Sequence, residues 1–371
     1  MGAPADAAYR FFTRPAWLAW GPSASAQALQ PGFDKAEYLE LLRLHARMGG
    51  PDSMWWVGIP KPQRFALAYR SPTSPLDNRW DLWSHPGPQP QAVINLRGTT
   101  AKAESWLANF YAAMLPAAGE LELGGGRKFA YHLADNPQAA VHAGWLLSLA
   151  FMADGIVHTV DSCYRRGTRD FLIMGHSQGG AVAFLLTSHL RNLQQQRKLP
   201  ADLRLKTYCS AGPKPGNLYY AYDYARATHG GWAVNVVNPA DWVPEVPLTV
   251  QTVHDFNPTN PFVGVAATLK KQPFPKNLVA RHAFRQLDGP PRRAQRRYQR
   301  YLGRYVGKAV VKAVPGFRGP AFYPSSNYVP AGNTVALPAD ATYYAKYPND
   351  PKQLFRHHFF QPYYYLAERL P

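Results

Sequence analysis

Residues 175–180 read Gly175-His176-Ser177-Gln178-Gly179-Gly180, with an apolar run at 171–174 before them and a nearly uncharged stretch at 181–193 after them. A serine between a buried strand and a buried helix, with glycine two positions away on either side, is the pattern of a sharp strand-to-helix turn. Gly175 and Gly179 let the backbone take strained dihedrals and let strand and helix approach closely. Such a turn holds Ser177 exposed at the C-terminal edge of a sheet, as a nucleophile. An ordinary Gly-rich strand–helix turn is the competing reading, and the flanking elements weigh against it.

Those flanks belong to a longer alternation. Segment 38–48 has helical spacing and stops at Gly49-Gly50-Pro51; 64–70 and Gln91–Leu96 read as strands. Segment 101–115 predicts a helix with Trp106, Leu107, Phe110, Tyr111 and Met114 on one face. Gly124, Gly125 and Gly126 predict a turn, 139–160 a second helix, 170–174 a strand, 203–210 and 232–238 further strands. Helix and strand thus alternate from 102 to 238, which implies an α/β fold with a mostly parallel central sheet and helices on both faces. After 258 the chain turns rich in Pro, Gly, Tyr and Arg, with one basic helix expected over 291–312. The expected organisation is one domain: an N-terminal extension (1–90), a catalytic core (91–257), an insertion (258–340) and a C-terminal segment (341–371).

A serine hydroxyl needs a base, and the base needs a carboxylate to orient it. In a sheet of this kind the partners follow in the order Ser, Asp/Glu, His. Asp241 stands just after the 232–238 strand, in a loop stiffened by Pro239, Pro244 and Pro247, and is preferred over Asp223 and Asp255. The later histidines are His254, His282, His357 and His358, and spacing alone leaves the choice among them open.

Composition narrows the class. Of 371 residues 46% are hydrophobic and 17% charged, which excludes disorder for most of the length. Thirty-five prolines predict rigid loops. Two cysteines, Cys163 and Cys209, allow one disulfide or two buried thiols, and no zinc-ligand spacing accompanies them. The opening Met1-Gly2-Ala3-Pro4-Ala5-Asp6 has neither basic start nor apolar stretch, so no signal peptide is expected in this chain, and Asp6 stands where a myristoylation signal wants Ser or Thr. The apolar run 144–157 is interrupted by Ser148 and Asp154 and falls short of the roughly 20 residues of a spanning helix. The net charge of +18 admits a nucleic-acid binder, a protein adsorbing to anionic membranes, or a basic soluble protein.

Further pieces complete a pattern: Leu96-Arg97-Gly98-Thr99, then Trp106-Leu107-x-Asn109, Val141-His142-x-Gly144-Trp145, the serine turn, Ala211-Gly212-Pro213-x-Pro215-Gly216-Asn217 and Asn238-x-x-Asp241-x-Val243-Pro244-x-Val246-Pro247. In this order they resemble the class 3 lipases, the fungal-type α/β-hydrolases, and look most like bacterial members of that family. The resemblance runs from about Val93 to Phe256 and resumes in the C-terminal segment. It implies a Ser177–Asp241–His triad with the histidine late and a tyrosine about five residues after it, which selects His358 with Tyr363. His357 and His254 remain the alternatives.

The resemblance also implies an oxyanion hole from the backbone N–H groups of Gln178 and Thr99, with the Thr99 hydroxyl as a third donor; a helix cap for 101–115 is the competing role, and the two can coexist. Gln178 departs from the family's commonest Leu, which matters little where the backbone donates. His176, Trp106 and Trp242 are candidates for the substrate pocket. Segment 101–115 lies where lid-bearing relatives carry a lid; a fixed helix is the preferred reading. The implied activity is carboxylic-ester hydrolysis through an acyl-enzyme, on lipid esters first, with no cofactor or metal. Feruloyl or polyester esterase and acyltransferase use of the same triad are the alternatives. From another class comes a basic membrane- or nucleic-acid-binding protein on a hydrolase scaffold. Arginines at 292, 293, 296, 297, 300 and 304, with interleaved Tyr and Leu, offer peripheral contact with an anionic membrane through 292–312, nucleic acid being the weaker partner; a solvated surface helix over the core is the preferred reading. A secreted or cell-envelope location fits this reading.

Overall fold

The computed structural model describes residues 28–49, 56–262 and 264–371. Residues 1–6, with their expected lack of a leader, and the breaker at Gly50-Pro51 lie outside the described residues. The first helix, α1 (Lys35–Ala46), is started by Asp34, whose carboxylate accepts from Glu37 N at 2.7 Å. Three strands follow as an antiparallel meander: β1 (Ala66–Arg70), β2 (Trp80–His85) and β3 (Gln91–Leu96). Then come α2 (Ala103–Phe110), β4 (Met114–Pro116), the hairpin β5 (Ala118–Gly124) and β6 (Arg127–His132), β7 (Ala140–His142) and α3 (Ala143–Arg165). The central unit is β8 (Asp170–His176), α4 (Gln178–Gln195), β9 (Arg204–Ser210), β10 (Gly216–Asn217), α5 (Leu218–Ala227) and β11 (Ala233–Val237). The last part holds α6 (Val265–Lys270), α7 (Lys276–Tyr298), a π-helical turn (Gln299–Tyr305), α8 (Val306–Ala313), the short strands β12 (Phe317–Arg318), β13 (Tyr328–Val329) and β14 (Asn333–Ala336), α9 (Ala341–Lys346) and α10 (Phe360–Glu368).

The main sheet runs β1-β2-β3-β8-β9-β11-β14 and is parallel from β3 onward. Side-chain alternation covers both faces. In β8, Phe171 and Ile173 enter one core with α3, α4 and α5, while Leu172 and Met174 enter the other with α1, α9 and α10. All seven residues of β8 are buried, and each large apolar side chain there contributes roughly 2 kcal/mol. This is the α/β-hydrolase arrangement, and it sets the C-terminal ends of β3, β8, β9 and β11 along one edge.

Several elements depart from the sequence expectations. The helix over 101–115 ends at Phe110, and Met114 lies in β4. The backbone at 111–113 is claimed by other segments: Ala113 N donates to Leu302 O and Ala143 N to Ala113 O. The second helix starts at Ala143, because 140–142 pairs as β7. The basic helix begins at Lys276 rather than 291 and runs through Pro290 and Pro291. Both flanking segments join the main sheet, 1–90 through β1 and β2 and 258–340 through β14. At 23 residues α3 is long and apolar enough to span a membrane by length and composition, yet 67% of its most apolar window is buried inside the protein. Cys163 and Cys209 are both buried and unbonded.

Candidate active site

Ser177 sits between β8 and α4 with φ 60° and ψ −130°, backbone that a non-glycine residue tolerates only when its surroundings impose it. The surroundings here are glycines. A Cβ on Gly175 would lie 2.1 Å from Gly179 O, and one on Gly179 2.2 Å from Leu96 O. Ser177 N donates to Ser210 O at 3.0 Å, which ties the turn to the end of β9. The serine is half-buried and lines a cavity of about 540 Å³ together with Thr99, Gln178 and His358.

His358 enters the same cavity from the loop before α10. Its Nδ1 donates to Asp241 Oδ2 at 2.7 Å, with both side chains buried. That bond leaves Nε2 as the proton-accepting nitrogen of a neutral ring. Asp241, after β11, also accepts from Tyr363 OH at 2.8 Å on Oδ2 and from Val243 N at 3.0 Å on Oδ1. The Tyr363 hydroxyl accepts in turn from Asn238 N at 3.1 Å. The alternatives lie elsewhere. His357 Nδ1 meets Tyr343 OH at 2.7 Å and its Nε2 meets Asn349 Oδ1 at 3.0 Å, while its backbone O accepts from Asn238 Nδ2. His254 is exposed within a one-turn helix that Thr252 and Asp255 cap. Asp223 holds Asn136 N at 2.7 Å, and Asp255 serves that cap and Ser325, so neither carboxylate reaches the cavity.

His176 packs against His358, with ring centroids 4.9 Å apart. Its Nε2 donates to His358 O at 2.7 Å, since a carbonyl can only accept. Burial, with the charges of His358 and His45 adding to it, holds His176 well below its ordinary pKa, so the ring is neutral. Its Nδ1 must then accept from Ser210 Oγ at 2.9 Å, and Ser210 accepts from Tyr38 OH at 2.7 Å. The direction of each bond follows from the first. His45, also in the cavity wall, is pushed down to about 4 by burial.

Gln178 is the first residue of α4, so its N–H has no acceptor within the helix and faces the helix's positive end. Its side chain is buried between Ser105 and Thr99, with Nε2 donating to Ser105 O at 3.3 Å. The Thr99 hydroxyl accepts from Asn109 Nδ2 at 2.9 Å and points to Gln178 Oε1 at 3.5 Å, a different employment from a third oxyanion donor. Nor does it cap α2, whose N-cap is Lys102. Asn109 Oδ1 also takes Trp145 Nε1 at 3.0 Å, and a Cβ on Gly144 would lie 1.9 Å from Ala108 O. The Trp106-Leu107-x-Asn109 and His142-x-Gly144-Trp145 motifs therefore hold α2 against α3.

The cavity mouth is aromatic. Trp106 stacks on Phe110 at 5.9 Å, and Phe355 bridges Trp106 (6.2 Å) to Trp242 (5.4 Å). Leu248, Tyr298 and Leu302 complete the wall. Sequence reasoning missed Phe355, Leu248, Tyr298 and Leu302; the tyrosines and leucine interleaved among the arginines were the available signal for the last two. Among the described residues no group of three or more His, Cys, Asp or Glu is placed to hold a metal ion.

Residues 93–251, a little under half of the chain, match the family described as Lipase (class 3). This segment is similar to the class 3 lipases. The match supports carboxylic-ester hydrolase activity. Solved structures to which the chain is similar include the triacylglyceride lipase of Rhizomucor miehei, 20% identical over 57% of this chain and 73% of that one, with a TM-score of 0.42. A lipase from Rhizopus microsporus var. chinensis is 21% identical over 58% and 68% (TM-score 0.40). A triacylglycerol lipase from Penicillium expansum is 16% identical over 58% and 75% (TM-score 0.40). No curated protein matches the chain.

Proposed function

We propose that this protein cleaves lipid esters with Ser177 as nucleophile, His358 as base and Asp241 as the group that orients and stabilises the imidazolium. The single observation that carries the assignment is the 2.7 Å bond from His358 Nδ1 to Asp241, in a cavity that Ser177 shares. Ser177 Oγ attacks the ester carbonyl while His358 Nε2 takes its proton. The oxyanion so formed is held by the Gln178 and Thr99 N–H groups. Collapse expels the alcohol, which receives the proton from His358, and leaves an acyl-serine; water then repeats the sequence and releases the acid.

The aromatic, nearly unpolar wall supports acyl chains over short polar acids. Secretion or residence at a cell envelope, with 292–312 touching an anionic lipid surface, fits the same substrate. The test is hydrolysis of a p-nitrophenyl ester series from acetate to palmitate by the wild type and Ser177→Ala. The reading expects rates that rise beyond acetate and vanish in the variant. Equal rates in the variant, or no hydrolysis of any ester by the wild type, would overturn it. Product analysis with an added alcohol acceptor separates an acyltransferase from a hydrolase.

A further inference from the structure

The chain leaves the cavity wall at Val246 and Leu248 and returns to it at Tyr298 and Leu302. Between these roots it builds α6 and α7, which pack against each other. Among the described residues from 262 to 297, Gln295 alone is buried. Apolar side chains stand in the open: Phe274 is 79% exposed, Leu287 76% and Val279 68%. The same stretch carries nine Lys and Arg against one acid, Asp288, which Arg292 pairs at 2.6 Å.

The helical spacing sorts these residues. Arg281, Arg285, Arg292 and Arg296, at steps of four, seven and four, form one stripe along α7, while Val279, Ala283 and Leu287 fall on the other side, flanked there by Lys276 and Arg297. A helix this amphipathic normally buries its apolar side in a core, and this one does not. By contrast, the stretch after Tyr298 is anchored to the body of the protein: Gly303 and Val310 are buried and Leu302 faces the cavity. The basic segment recognised in the sequence is thus half wall and half exposed arm, and the arm extends well before residue 291.

We propose that α6 and α7 form a docking arm for anionic phospholipid surfaces, which brings the cavity mouth against the lipid. The arm supplies both requirements of an interfacial helix, cations for anionic headgroups and Phe, Leu and Val for the acyl boundary. Its roots at Leu248 and Tyr298 place the bound surface next to Ser177's cavity. The inference rests on the hydrolase reading for its purpose, but not for its measurement.

The probe is sedimentation of the Ser177→Ala protein with phosphatidylcholine vesicles, with and without phosphatidylglycerol, at low and high salt. Binding should require phosphatidylglycerol and weaken with salt. Each lost cation near the surface weakens partitioning roughly fivefold, so R281Q/R285Q/R296Q should lower it on the order of a hundredfold. The same triple change in the active enzyme should leave hydrolysis of a water-soluble butyrate ester unchanged, which also reports that it folds. Equal binding to both vesicle types, undiminished binding by the triple variant, or tighter retention on double-stranded DNA than on vesicles would overturn the proposal. Vesicle binding without hydrolysis of any ester sinks the catalytic reading and leaves the arm. Hydrolysis of soluble ester without vesicle binding does the reverse.

Discussion

Asp241→Asn tests the triad at its most constrained atom. Asp241 Oδ2 accepts two donors, His358 Nδ1 at 2.7 Å and Tyr363 OH at 2.8 Å, and Oδ1 accepts Val243 N at 3.0 Å. An amide presents one oxygen and one NH₂, so one side must set donor against donor in a buried site. If the NH₂ faces Val243, it meets a backbone N–H that cannot move. If it faces His358, the ring must carry its proton on Nε2 and cannot accept from Ser177. The second arrangement leaves Tyr363 free to turn its lone pair toward the new donor, but it still needs Asn238 N as a donor to that same oxygen. Asn is therefore expected to hold the wrong histidine tautomer, with a loss in kcat on the order of 10⁴ and little change in KM. Tyr363→Phe removes one hydrogen bond to a charged acceptor and orphans Asn238 N. It should cost about 2 kcal/mol of stability and reduce kcat roughly tenfold, because His358 keeps its carboxylate. The assay is steady-state hydrolysis of a p-nitrophenyl butyrate series by both variants, with urea unfolding of each. An Asp241→Asn enzyme that retains more than a tenth of wild-type kcat would refute the reasoning, as would a Tyr363→Phe enzyme that loses more than Asp241→Asn.

Other expectations follow from the same structure. Burial pushes His45 down to about 4, His142 to about 3 and His189 to about 4, against an ordinary 6.5. The unfolded chain takes up protons at these sites first, so stability falls as pH drops below 6.5 and continues to fall until about 3 to 4. Each should remove about 2 kcal/mol at pH 5, and urea midpoints flat between pH 6.5 and pH 5 would contradict this. Lys206 is buried and its ammonium meets Glu37 at 2.5 Å; Glu37→Ala should cost roughly 3–5 kcal/mol, whereas E37Q with K206M should recover most of it in the same unfolding assay. Gly144→Ala must push Ala108 away and with it the Asn109–Thr99 contact, so kcat should fall together with thermal stability. Full activity at wild-type stability would show that α2 is not clamped.

The residues that were legible in the sequence share a physical property. Gln91–Leu96, the β8 run and the α4 run are buried on nearly all sides, so their lack of charge announces them. Ser177 and Asp241 stand just beyond the strands β8 and β11, where the chain turns at the sheet edge, whereas His358 lies in a loop before α10 and is selected by the family resemblance, not by spacing. What was hidden depends on distant partners. β14 reads Asn-Thr-Val-Ala at an exposed edge and is a strand only because β11 lies beside it. The Trp80–His85 strand mixes Asp, Ser and His with its tryptophans, and Asp81 is tolerated inside because Arg70 pairs it at 2.8 Å. The Gly289-Pro290-Pro291 sequence reads as a helix breaker, yet α7 passes through it. That Phe355 and Leu302 form the cavity wall could not be read from spacing, since they arrive from segments more than fifty residues apart.

The most direct test is covalent. Treating the protein with a fluorophosphonate and mapping the modified peptide by mass spectrometry should find one adduct, on Ser177, whose formation stops ester hydrolysis in proportion. In Ser177→Ala and Asp241→Asn the adduct should be absent or formed far more slowly. An adduct on another serine that abolishes hydrolysis, or hydrolysis that survives full modification of Ser177, would contradict the account.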